Sequence, residues 1–176
     1  QKDGVGWGEG LEPKLIKGPD LLVETLARLK AFNPLVLLTG PSRGYVKHRL
    51  KEYGIEFVHT YLHHINELPS MYHALDVYLI TSRLEGGPKS LLEAWASGIP
   101  LVSTRVGMVP DIARDGETVL LAEVEDVNAL AHNVRRLHGD PNLKKKLADQ
   151  ALKEVGNSSW DNIARHYFEE LYQPLV

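Results

Sequence analysis

Cysteine is absent from this 176-residue chain. Neither disulfides nor thiol chemistry can enter an account of it, and a reducing compartment suits it. Aromatic residues are few, 7% of the total, and nowhere interleave with basic side chains as along a nucleic-acid-binding face. Neither sign of charge dominates: 20 Lys+Arg stand against 23 Asp+Glu, a formal net charge of −3. A basic surface for polyanions is therefore excluded as the default reading. No apolar run approaches the ~20 residues of a membrane span. No charged start with an apolar centre marks a signal peptide, and the first residue is Gln1 rather than Met, as in a piece of something longer. Asp-x-Asp does not occur, and no metal is expected. His59, His63 and His64 are the nearest histidine cluster, but no ligand spacing completes a site.

What is present is an alternation of short apolar runs and amphipathic ones. Residues 35–39, 56–60, 77–81, 101–104 and 119–122 are short and rich in branched side chains. Runs apolar on both faces predict buried parallel strands. Residues 4–8 are an ambiguous further strand, because glycine interrupts them. Between these runs the helical period predicts helices over 19–30, 45–53, 68–75, 88–97, 126–137, 143–155 and 160–172. The last shows the cleanest stripe: Trp160, Ile163, Ala164, Tyr167, Phe168 and Leu171. Such alternation predicts an α/β fold in three layers, with a mostly parallel sheet and helices on both faces. The closing helices follow one another without a strand and form a C-terminal helical layer. At 43% hydrophobic residues the chain has enough for one ordinary core.

In such a sheet, ligands bind outside the carboxyl ends of the strands. The strand-to-helix loops 40–44, 61–66, 82–89 and 105–110 therefore carry the candidate chemistry. The third opens the run Ser82-Arg83-Leu84-Glu85-Gly86-Gly87-Pro88-Lys89-Ser90-Leu91-Leu92-Glu93. Gly86 and Gly87 let backbone come close to a ligand. A helix beginning near Pro88 turns the amides of Lys89, Ser90 and Leu91 outward, and with the helix dipole these favour an anion, typically phosphate. Lys89 fits that reading, since a first-turn lysine is disfavoured by roughly 0.3–1 kcal/mol unless an anion answers it. On these residues alone, an ordinary loop with a solvated lysine is equally open. A carboxylate accepts two hydroxyl hydrogen bonds well, so Glu85 and Glu93 suit the vicinal hydroxyls of a ribose or hexose. Glu93 lies in an apolar helix, where a buried carboxylate needs a partner. Lys17-Gly18 could reach the same end of the sheet, although a solvated loop lysine is the plainer reading of those two residues alone.

In this order, the segments resemble the C-terminal domain of the group 1, family 4 retaining glycosyltransferases, which have the two-domain GT-B architecture. The most specific match is Glu85-Gly-Gly-Pro-Lys-Ser-Leu-Leu-Glu93-Ala running into Trp-Ala-Ser-Gly-Ile-Pro-Leu-Val. It is similar to the family's E-x7-E motif and the strand start that follows. Lys17-Gly18-Pro19-Asp20, the stretch from Leu68 to Val77, Val106-Gly107 with Pro110-Asp111, Asp115-Gly116-Glu117-Thr118, and Ser159-Trp160 with Tyr172 match further family segments. Together they cover residues 14–172.

The resemblance implies a Rossmann-like domain, the C-terminal half of a GT-B fold, with residues 1–176 forming a single nucleotide-sugar-binding domain. The N-terminal acceptor-binding domain would lie outside this chain. The implied activity is transfer of a mannose- or glucose-type hexose from a UDP- or GDP-sugar, with retention and without metal or other cofactor, in polysaccharide or glycolipid biosynthesis. Lys17 and Glu85 would be the catalytic residues, Lys17 neutralising the diphosphate and Glu85 touching the transferred sugar. Gly86, Gly87, Pro88, Lys89, Ser90 and Leu91 would cradle the phosphates, and Glu93 would hold the ribose. Tyr61 and Leu62 would touch the base, and Gly40 would be a further donor-binding residue. The family's usual arginine before the lysine is missing from residues 9–16, where Lys14 is the available cation but lacks the bidentate fork. Met108 follows Gly107 where two glycines are usual. These departures leave open a non-catalytic nucleotide-sugar-binding or regulatory module of the same fold. The implied partners are the donor and the missing domain, with no nucleic acid. The implied place is the cytoplasm, with any membrane contact made through the missing domain.

Overall fold

The structure is a computed structural model that describes residues 9–175. Each predicted strand is found, 101–104 at full length and the others one or two residues shorter: β1 (Val36–Thr39), β2 (Phe57–Thr60), β3 (Tyr78–Ile80), β4 (Leu101–Thr104) and β5 (Leu120–Ala122). The ambiguous strand at 4–8 lies outside the described residues. The helices are α1 (Pro19–Arg28), α2 (Gly44–Tyr53), α3 (Leu68–His73), α4 (Lys89–Ala96), α5 (Val109–Ile112), α6 (Val127–Gly139), α7 (Pro141–Val155) and α8 (Trp160–Tyr167). A wider π turn, Phe168–Tyr172, continues α8. The single-turn α5 went unforeseen because four residues are too few to show a helical period. Side-chain caps start the later helices: Asp126 accepts from the Ala129 amide at 2.8 Å and Asp140 from the Leu143 amide at 2.9 Å, each satisfying an otherwise orphaned donor.

All strand pairings between these strands are parallel. β1 pairs with β2, Val36 opposite Phe57, while β4 lies between β3 and β5, with Val102 opposite Leu120. The strands thus form two hydrogen-bonded sets among the described residues. Alternation along β4, buried at every position, builds the layers. Leu101 packs into a cluster with Leu91 and Trp95 of α4 and Val109 of α5. Val102 turns to the other face, against Leu130 and Leu137 of α6 and Leu147 of α7. Burying each such side chain stabilises by about 1.5–3 kcal/mol. α1 and α2 close a further cluster over β1 through Val23, Leu26, Val46 and Leu50.

The C-terminal layer departs from expectation. α7 packs inward through Leu147 and Ala151, but the stripe read on 160–172 is exposed: Trp160 is 84% accessible, and Tyr167, Phe168, Leu171 and Tyr172 are all open to solvent. Periodicity identifies an apolar face without saying what covers it. No helix among the described residues is long and apolar enough to cross a membrane.

Candidate functional site

The carboxyl end of β3 is where separated segments meet. Leu15–Lys17 forms one 3₁₀ turn, closed by Lys17 N–H to Lys14 O at 2.8 Å and Gly18 N–H to Leu15 O at 2.9 Å. Gly18 has φ +61, and a Cβ there would lie 1.7 Å from the Thr81 carbonyl oxygen. Only glycine can sit so close to that backbone in a left-handed conformation. The Thr81 hydroxyl donates to Gly18 O at 2.8 Å, which ties the turn to the strand end. Lys17 is thereby aimed at the loop after β3, its Nζ 2.6 Å from Glu85 Oε1, with the two side chains 23% and 14% exposed. Ser82 Oγ donates to the same carboxylate oxygen at 3.0 Å. The pairing of Lys17 with Glu85 is a feature no local pattern announces.

Glu85 leads directly into α4. Gly86 and Gly87 are exposed, Pro88 is buried, and the helix starts at Lys89, whose side chain stands in solvent. First-turn amides lack intrahelical acceptors, as expected for Lys89 and Ser90. Leu91 differs from its two neighbours: its amide donates to Pro88 O at 2.9 Å and its side chain is 1% exposed. The tight turn at Pro88 closes that donor into the helix, so Leu91 belongs to the core rather than to an open row of amides. The loop after β4 braces this segment. Gly107, at φ +53, would place a Cβ 2.3 Å from Glu85 O, and the Met108 amide donates to Gly86 O at 2.9 Å.

Glu93, one turn further along α4, is half-buried and has the partner that its position demanded. Tyr72 of α3 donates its hydroxyl to Glu93 Oε2 at 2.8 Å. Burial above all, then the nearby Tyr78 and Glu93, hold the Tyr72 hydroxyl well above the usual phenol range, so it stays a proton donor. The sequence demanded a partner for Glu93 but could not name Tyr72, which lies on another element.

Lys14 is exposed and lends its carbonyl to the Lys17 turn. Gly40, Tyr61 and Leu62 lie at the carboxyl ends of β1 and β2. There His59 Nε2 meets Gly40 O at 2.8 Å and its ring lies 5.0 Å from that of Tyr61. Arg43 donates from Nε to Thr39 O at 2.8 Å. An apolar slot of about 310 Å³ is lined by residues of β1 and β3, with Lys17, Arg43, Ser90 and Glu93 also in its wall. Residues 40–44 also spell Gly-x-Ser-x-Gly on a strand–turn–helix, with Ser42 at φ +62, the setting of a serine nucleophile. Ser42 is only 2% exposed, however, and His59 turns its ring nitrogens to Gly40 O and Lys47. Ser42 is therefore not placed to act as a nucleophile. Among the described residues no group of three or more His, Asp and Glu is placed to hold a metal ion. The arrangement around Lys17 can neutralise an anion beside α4 and offer carboxylates to neighbouring hydroxyls.

The profile of the family described as glycosyl transferases group 1 matches residues 11–154. D-inositol 3-phosphate glycosyltransferase from Corynebacterium urealyticum is 31% identical over 173 residues, covering 91% of this chain and 41% of its own length. The crystal structure of the C-terminal domain of LpcC, a glycosyl transferase group 1 family protein from Francisella tularensis, is similar with a TM-score of 0.72 and 26% identity, covering 82% of this chain and 80% of that one. Anabaena HepE in complex with UDP-glucose shares the fold, with a TM-score of 0.70 and 20% identity over 85% of this chain and 43% of that one. This chain spans less than half the length of these curated relatives.

Proposed function

The chain belongs to the group 1 glycosyltransferases, and we propose that it is the domain of such an enzyme that binds the nucleotide-sugar donor. The observation that carries this reading is the convergence of Lys17, Glu85 and the start of α4 at one strand end. Lys17 neutralises the donor diphosphate, with Lys14 as a secondary cation. Backbone from Gly86 to Ser90 approaches the phosphates, Glu93 accepts from the ribose hydroxyls, and Glu85 contacts the transferred sugar. Gly40, Tyr61 and Leu62 form the side toward the base. HepE in complex with UDP-glucose has a similar fold, which supports a nucleotide-sugar donor, and the donor proposed is a UDP- or GDP-linked hexose.

Transfer breaks the bond between the sugar's anomeric carbon and the diphosphate, and negative charge grows on the departing phosphate. Preorganised cations and amides stabilise that charge without reorganising, and positioning contributes the rest. On this reading the transfer retains anomeric configuration and needs no metal. The acceptor binds on a further domain of the full-length protein, so residues 1–176 alone bind donor weakly and transfer nothing. The absence of arginine from residues 9–16 favours a second reading, a non-catalytic nucleotide-sugar module. Turnover by the full-length protein decides between them. Titration of this chain with UDP, GDP and their hexose derivatives, followed by amide NMR, tests the common premise. Shifts centred on residues 85–93 are expected, and their absence with every nucleotide overturns it.

A further inference from the structure

Arg83 takes no part in the donor reading, yet its side chain joins three separate segments beside the site. Its guanidinium grips Asp20 in the first turn of α1 through two parallel bonds, Nη1 to Oδ1 and Nη2 to Oδ2, each 2.7 Å. Nη1 also donates to the Leu15 carbonyl at 2.7 Å. Nη2 reaches Glu125 Oε2 at 3.0 Å, and Nε donates to the other oxygen of that carboxylate. The backbone adds a further link, with the Arg83 amide donating to Ile16 O at 3.0 Å. Glu125 sits between β5 and α6 at φ +73, a conformation uncommon for a residue with a side chain. Leu15 and Ile16 immediately precede Lys17, and Glu85 lies two residues beyond Arg83.

We propose that Arg83 is a positioning residue that clamps the Lys17 turn onto the Glu85 loop and so sets where the site's cation stands. The chemistry requires arginine. A planar fork can hold both oxygens of Asp20 while its remaining donors reach Leu15 O and Glu125, whereas a lysine is a point charge without that geometry. Arg83 and Asp20 are each only 24% exposed, so this pair is not one of the solvated surface contacts that contribute little. The role is distinct from that of Lys17, because Arg83 directs its donors into the protein framework.

The consequence for ligands rests on the donor reading, while the clamp itself does not. The test therefore has separate arms, run on the 176-residue chain with Arg83→Lys and, from the opposite side of the pair, Asp20→Asn. Without ligand, amide hydrogen exchange at Lys17 and Gly18 is expected to quicken roughly tenfold in both variants, with core amides of β4 unchanged. With ligand, Arg83→Lys is expected to weaken UDP binding about tenfold but uridine binding less than about twofold, and to have no further effect on UDP in a Lys17→Ala background. Unchanged exchange at Lys17 and Gly18 overturns the clamp. Equal losses for UDP and uridine, or losses additive with Lys17→Ala, overturn its positioning role. If the unaltered chain binds no UDP the donor reading falls, and the exchange arm still decides the clamp.

Discussion

Lys17 and Glu85 neutralise each other across 2.6 Å, and any anion bound there must share Lys17 with the carboxylate or take it. On the donor reading, a sugar hydroxyl gives Glu85 a hydrogen bond in exchange, and a bare diphosphate does not. Glu85→Gln is therefore expected to leave UDP affinity unchanged or raise it by up to about tenfold, while weakening UDP-glucose relative to UDP. Calorimetry with both ligands reads the difference, and weaker UDP binding by the variant contradicts it. Glu93→Gln, placed to touch the ribose, is expected to weaken both ligands to a similar degree. At Gly18 the prediction concerns the fold. A methyl group 1.7 Å from Thr81 O cannot be accommodated without moving β3 or the turn. Gly18→Ala is expected to cost more than about 3 kcal/mol by urea denaturation, and a loss below about 1 kcal/mol would show that the turn is free to shift.

Among the elements, α7 and α8 both carry apolar stripes in sequence, the cleaner one on α8, and behave differently in the structure. Leu147 of α7 is fully buried between α6 and the sheet, whereas Trp160 of α8 is 84% exposed. Leu147→Ala is expected to cost about 2–5 kcal/mol through lost contacts and a cavity. Trp160→Ala in the same chain is expected to change stability by less than about 0.5 kcal/mol. Urea midpoints of the two variants, measured side by side, test the contrast, and a large loss at Trp160 would place that ring in the core. α4 shows an element carrying two functions. Leu91, Ala94 and Trp95 bury one side in the core, which leaves Glu93 at the margin, where Tyr72 meets it.

At the scale of the whole molecule, the ion pairs set the acid response. Burial pushes the Asp20 carboxyl up, but the hydrogen bonds and charge of Arg83 outweigh it and hold the group below its ordinary 3.8. Lys144 lowers Asp76 and Lys47 lowers Glu9 in the same direction. A carboxylate held low in the folded state contributes stability above its unfolded value and loses it as pH falls through the folded value. Stability is therefore expected to be level from pH 7 to about 5 and to fall below about pH 4. The Asp76 and Glu9 pairs are more exposed and screened, so Asp20 is the largest part of this. Arg83→Gln should flatten the acid limb of a urea-midpoint profile, and an unaltered limb would remove Asp20 from the account.

The strands near 35–39 and 101–104, the helix starts at Pro19 and Asp126, and the loop-to-helix run of 82–93 were all legible locally. Apolar period, capping residues and paired glycines act within a few residues of one another, where chain sequence alone dictates geometry. The family's Lys-Gly and E-x7-E segments were legible for the same reason. What only the folded chain decided lies between distant segments. Tyr72 meets Glu93 across 21 residues, and Arg83 meets Asp20 across 63. The same holds for the engagement of Lys17 by Glu85, the withdrawal of the Leu91 amide and the exposure of the α8 stripe. Periodicity assigns a side chain to a face, but its partner is set by how elements pack, and packing is a property of the whole chain.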